Sequence, residues 1–168
     1  MTVGVEIEPE WAAMDWRTVV GDATALPFPD DVFDVVATSP CYGNRLADHH
    51  EAKDGSVRHS YTHDLGRRLH PNNAGQLHWG EAYRDLHDRA WRESVRVLRP
   101  GGRFLLNISD HVRKGAVQPV TAWHVETLKG LGLVVVDHWE LSTPRLRFGA
   151  NANTRVDCES VVVLEDRS

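Results

Sequence analysis

The run Val32-Phe33-Asp34-Val35-Val36-Ala37-Thr38, followed at once by Ser39-Pro40-Cys41-Tyr42, constrains the fold of this chain more than any other stretch. A run this short and this rich in β-branched residues cannot sustain a helix, and it suits a strand buried on both faces in a parallel sheet. Pro40 ends it. The residues around that proline supply an acceptor hydroxyl, a rigid proline carbonyl and an aromatic ring, the groups a pocket needs to hold a flat, amine-bearing ring. Ligands of open α/β sheets bind outside the carboxyl ends of the strands, which is where this segment falls.

The same signal recurs at residues 3–7, 18–20, 103–108, 133–141 and 156–164. Between them lie helical segments. Pro9 fits a first helical position before 10–16, and 81–98 offers Tyr83, Leu86, Ala90, Val95, Val97 and Leu98 to an apolar face before the stop Pro100-Gly101-Gly102. Pro119 opens a further helix to Leu131. The alternation predicts an α/β fold with a doubly wound, mostly parallel sheet and an antiparallel pair of strands at the C-terminal end. With 168 residues, 41% hydrophobic and 26% charged, one domain over 1–168 is expected. Periodicity disappears between 43 and 80, so a polar insertion at about 46–80 is expected to serve a function, since structureless loops of that length are uncommon without one.

Further blocks widen the pattern. Gly4-Val5-Glu6-Ile7-Glu8-Pro9-Glu10, Gly21-Asp22-Ala23 with Leu26-Pro27-Phe28, the Ser39-Pro40-Cys41-Tyr42 block and Arg96-Val97-Leu98-Arg99-Pro100-Gly101-Gly102 together resemble class I S-adenosylmethionine-dependent methyltransferases. The Ser-Pro-x-Tyr segment and the tail Thr143-Pro144-Arg145-Leu146-Arg147-Phe148-Gly149-Ala150-Asn151 resemble, more particularly, the amino-group DNA methyltransferases of phage and bacterial genomes, some of them parts of restriction-modification systems. The resemblance implies a Rossmann-like fold, S-adenosylmethionine as cofactor and DNA as partner. It implies that Ser39, Pro40, Cys41 and Tyr42 form the catalytic segment. Ser39 Oγ and the Pro40 carbonyl would accept the amine N–H groups, and Tyr42 would stack on a base flipped out of the duplex. Glu6 would bind the cofactor ribose, Ile7 would lie against the adenine, and Asp22 with Ala23 would face the adenine edge. Serine at 39 leans toward cytosine N4 as the methyl acceptor. Adenine N6 or RNA methylation is the second reading, and a nucleic-acid-binding remnant without catalysis is the third.

The chain departs from the family twice. Cys41 stands where a second proline is usual, which loosens the turn. The glycine-rich turn that the family places before the Gly-Val-Glu strand is not found, so either a missing N-terminal segment or a second chain is expected to complete the cofactor site, and weak cofactor binding is expected without it.

Charge bears on the partner. The net charge of -5 is unusual for a DNA-binding surface, but residues 1–34 carry eight acids against one arginine, so the acidity belongs to one end. Asn44 and Arg45, just after the catalytic segment, and Arg145 and Arg147 near the tail are the predicted substrate contacts. Arg58, Arg67, Arg68 and the Asn and His residues of the insertion are expected to meet phosphates and base edges. The histidines of that insertion have no cysteine partners and no closed-site spacing, so no metal is expected. Cys41 and Cys158 give no disulfide framework. An acidic start without a basic n-region, and no apolar run near the ~20 residues of a membrane span, predict a cytoplasmic protein without a membrane partner.

Overall fold

The computed structural model describes residues 1–43, 60–143 and 156–167. They cluster into two compact units, Met1–Pro27 with Gly43–Glu93, and Phe28–Tyr42 with Ser94–Ser168. No helix among the described residues is long and apolar enough to cross a membrane.

In the first unit, β1 (Gly4–Glu6) pairs in parallel with β2 (Thr18–Val20), Gly4 opposite Thr18 and Glu6 opposite Val20. Between them runs α1 (Pro9–Ala12), with proline in its first turn where the missing N–H is no loss. It is shorter than the expected 10–16. The insertion is more ordered than its lack of periodicity suggested. Its described part holds a short helix, α2 (Tyr61–Leu65), whose N-cap Ser60 Oγ accepts from His63 N at 3.3 Å, and a 3-10 turn at Ala74–Gln76 capped by Asn73. Caps, not an apolar stripe, define both elements, so a periodicity test passes over them. Gly43, at φ 72°, closes the loop ends together by accepting from Trp79 N at 2.6 Å. A Cβ there would meet Trp79 N at 2.9 Å, so both conformation and space require glycine. The long helix α3 (Glu81–Arg96) buries Tyr83, Leu86, His87, Ala90, Trp91 and Ser94, the i, i+3, i+4, i+7 row of an amphipathic helix.

The second unit is built on a four-stranded sheet of order β3-β4-β8-β7, formed by β3 (Phe33–Thr38), β4 (Leu98–Ile108), β7 (Leu133–Ser142) and β8 (Cys158–Asp166). β3 and β4 are parallel, with Thr38 opposite Leu106. β8 runs antiparallel to both β4 and β7. The antiparallel C-terminal pair is therefore present, while parallel pairing among the described residues is limited to β1 with β2 and β3 with β4. Phe104, Leu106 and Ile108 of β4 and Val162 and Leu164 of β8 are buried, joined by Val120 and Leu128 of α4 (Val120–Gly130). The expectation that 32–38 is buried on both faces is corrected. β3 is an edge strand among the described residues, paired with β4 alone, and Val35 on one of its faces is 49% exposed, so that face is not covered there.

A hairpin outside the insertion also escaped the sequence reading. Between β4 and α4 a hairpin is formed by β5 (His111–Arg113) and β6 (Ala116–Gln118). Its turn is Lys114-Gly115, both at positive φ (51° and 76°), the backbone that a two-residue hairpin needs to match strand twist. The signal was the Lys-Gly pair between short β-branched segments.

Candidate active site

The carboxyl ends of β3 and β4 bring together polar groups from two distant parts of the chain. β3 stops at Thr38, and Ser39 emerges exposed, with Pro40, Cys41 and Tyr42 half-buried behind it. Ser39 Oγ lies 3.4 Å from the Tyr42 hydroxyl and 3.5 Å from Asn107 Nδ2, which donates to it. Both contacts are at the long limit of hydrogen bonding, so neither saturates the serine. Its lone pairs remain open to a substrate donor. Of the predicted catalytic segment, Ser39 and Tyr42 are thus in contact with each other. Cys41 is half-buried and not in a disulfide.

Asn107 and, three residues past the end of β4, His111 are additions that the sequence reading missed. The ring of His111 lies by the Tyr42 main chain, and both of its nitrogens are shielded from solvent without a directed hydrogen bond among the described residues. Burial pushes its pKa down, helped by the charge of Arg113 and opposed by Asp110 and the Tyr42 backbone. A motif search from Ser39 could not find either residue. The parallel register, which sets Leu106 beside Thr38, does.

The predicted cofactor residues gather in the first unit. Glu6 ends β1, and its Oε1 accepts from Glu8 N at 2.9 Å, which orients the carboxylate and leaves Oε2 as an acceptor. Gly21 N donates to the Glu6 carbonyl at 2.9 Å, so Glu6 and Asp22 stand at neighbouring carboxyl ends of two parallel strands. Ile7 is half-buried and Ala23 exposed. Asp22 is different, because its carboxylate is already occupied. Oδ1 accepts from Thr24 N and Thr24 Oγ, both at 2.8 Å, and Oδ2 from Asn72 Nδ2 at 2.7 Å. Burial pushes its pKa up, but the bonds from Asn72 and Thr24 and the charge of His70 outweigh that and hold it below the usual carboxylate range.

The same unit shows what the insertion does. Glu8 is fully buried, and its Oε1 accepts from His70 N at 2.7 Å and from Asn73 Nδ2 at 2.9 Å. Arg67 Nη2 lies 2.9 Å from Glu8 Oε2, close enough for an ion pair though without the direction of a hydrogen bond, while the guanidinium forms a two-point bond to Glu10. Arg67 is therefore committed to internal carboxylates and not to a phosphate. Asn44, Arg45, Arg58, Arg145 and Arg147 lie outside the described residues. A separate cleft of about 380 Å³, lined among others by Asp110, Glu126, His138, Glu140 and Cys158, opens beside α4 and β7, and none of the predicted site residues lines it.

Solved structures share the arrangement of elements. A protein of Thermus thermophilus, provisionally named a DNA modification methylase and solved in complex with S-adenosyl-L-methionine, superposes with a TM-score of 0.56 at 23% identity, over 89% of this chain and 54% of its own. The [4+2]-cyclase SpnF gives 0.53 at 15% identity over 98% and 66%. A SAM-dependent methyltransferase of Methanosarcina mazei gives 0.53 at 12% identity over 98% and 81%. The chain spans about half the length of the Thermus protein. No family model and no curated protein matches the sequence. The likeness shows a Rossmann-like α/β fold, shared here by a methyltransferase and a cyclase, so the reaction must be argued from the site.

Proposed function

We propose that this chain belongs to an S-adenosylmethionine-dependent enzyme that methylates an exocyclic amine in DNA, with cytosine N4 as the acceptor. The observation that carries the reading is the unsaturated Ser39 hydroxyl, at the carboxyl end of β3 and beside the Tyr42 ring. An exocyclic amine is a poor nucleophile because its lone pair is delocalised into the ring. Accepting its N–H groups at fixed positions turns that lone pair out of conjugation and toward an electrophile. Ser39 Oγ and the Pro40 carbonyl are the acceptors in this reading, and Tyr42 supplies the face on which a flipped base stacks.

The residues at the ends of β1 and β2 fit an adenosine-bearing cofactor in part. Glu6 Oε2 is available to a ribose hydroxyl, and Ile7 and Ala23 are open enough to meet an adenine ring. Asp22 serves instead to hold the Thr24 turn and Asn72, so its part in cofactor binding is indirect. S-adenosylmethionine would supply a methyl group on a sulfonium, an electrophile that requires no metal. The similarity to the Thermus protein solved with that cofactor supports the reading, as does its name as a DNA modification methylase.

Ser39→Ala removes the acceptor while leaving the segment's backbone in place. Methylation of DNA is expected to fall by at least about 100-fold, the scale of losing a positioned polar group at a reacting centre, with DNA affinity nearly unchanged. Methylation that survives the substitution would show that Ser39 is not the acceptor.

A further inference from the structure

The geometry points to Asn107 as a second substrate-contacting residue, one that donates from Nδ2 to the bare ring nitrogen beside the methylated amine and so selects amine-bearing over keto-bearing bases. This rests on the reading of the Ser39 segment as the acceptor site. Because Thr38 and Leu106 are paired across parallel strands, Ser39 and Asn107 each stand one residue further toward the carboxyl edge. Strand alternation sends Leu106 and Ile108 into the core and Asn107 to the opposite face, half-buried. Its amide has one side-chain partner among the described residues, Ser39 Oγ, at the outer limit of 3.5 Å. A strand-end amide held that loosely retains N–H capacity for a ligand.

The pair Ser39 Oγ and Asn107 Nδ2 therefore presents an acceptor beside a donor. Cytosine shows the complementary edge at N4 and N3, and adenine at N6 and N1, an amine donor next to an unprotonated ring nitrogen. Thymine, uracil and guanine present an oxygen and a ring N–H instead, which would set two donors against each other at Asn107. The neutrality of the amide also matters. A cationic donor at that place would pull the ring nitrogen toward protonation and draw the amine lone pair further into the ring, whereas an amide reads the position without that cost.

The test removes the partner atom from the substrate. Oligonucleotides carry either cytosine or 3-deazacytosine at the methylated position, the latter keeping the amine but replacing the ring nitrogen by C–H; if the methylated base is adenine, 1-deazaadenine takes its place. With the unaltered protein, kcat/KM is expected to drop about tenfold or more on the deaza base, the usual scale for one lost base-edge contact. Asn107→Leu is expected to show the same drop on the natural base and no further drop on the deaza base, with Asn107→Asp, which turns the donor into an acceptor, behaving likewise. Equal rates on both bases with the unaltered protein would overturn the inference about Asn107 while leaving the acceptor site standing. So would an Asn107→Leu loss that persists in full on the deaza base, since that is the mark of a purely structural role. Absence of methylation on any base would overturn the reading of the site and this inference together.

Discussion

His87 shows how far a single residue of this chain can be pushed by its surroundings. It lies on the buried face of α3, with the Tyr83 ring 4.0 Å and the Trp91 ring 5.6 Å away, and its Nδ1 bonds the Tyr83 carbonyl at 2.8 Å. Burial pushes its pKa down to about 4, the carbonyl resisting only in part. The neutral ring donates Nδ1–H to that carbonyl. Well above pH 6.5 neither the folded nor the unfolded chain protonates the ring, and the fold has its full stability. Below it the unfolded chain takes up a proton that the folded one refuses, so stability falls with pH until about 4. The loss over that window is roughly 3 kcal/mol. Thermal unfolding followed from pH 7.5 to 4 should therefore show a decline that His87→Phe flattens. An identical decline in the variant would place the pH sensitivity elsewhere.

At the scale of elements, the junction between the insertion and the β1–α1 turn is held by one buried carboxylate. Glu8 accepts from the main chain of His70 and the side chain of Asn73 and faces Arg67, so its removal strands two donors and takes one of two carboxylates from Arg67. Glu8→Ala is expected to cost on the order of 3 kcal/mol, the scale for breaking a buried charged network, and to lower the melting temperature accordingly. A variant that melts like the parent would mean the insertion is not fastened through Glu8. The same junction explains what sequence reasoning could and could not see. The strands at 18–20 and 133–141 and the helix at 81–98 are recovered within a few residues because β-branched runs and a period-3.6 pattern mark them. α2, the 3-10 turn and the β5–β6 hairpin depend on caps and turn residues, which carry no such period. Arg67 looked like a phosphate ligand because its partners, Glu8 and Glu10, lie almost sixty positions away in sequence.

For the whole molecule, fold and reaction were legible to different depths. The motif at 39–42 and the acid at position 6 were singled out from sequence because their residue types resemble those of a known family. Asn107 was not, since an asparagine at a strand end is common and only the β3–β4 register gives it a neighbour in Ser39. Asp22 was given a ligand role that its bonds to Thr24 and Asn72 now largely fill. The Rossmann-like fold follows from solved structures, while the reaction rests on a few polar groups at the carboxyl edge of one sheet. The most direct measurement is therefore nucleoside mass spectrometry on DNA from cells that express this chain, compared with cells that express Ser39→Ala. The account predicts 4-methylcytosine in the first and none above background in the second; DNA with no new methylated base in either, or equal methylation in both, would contradict it.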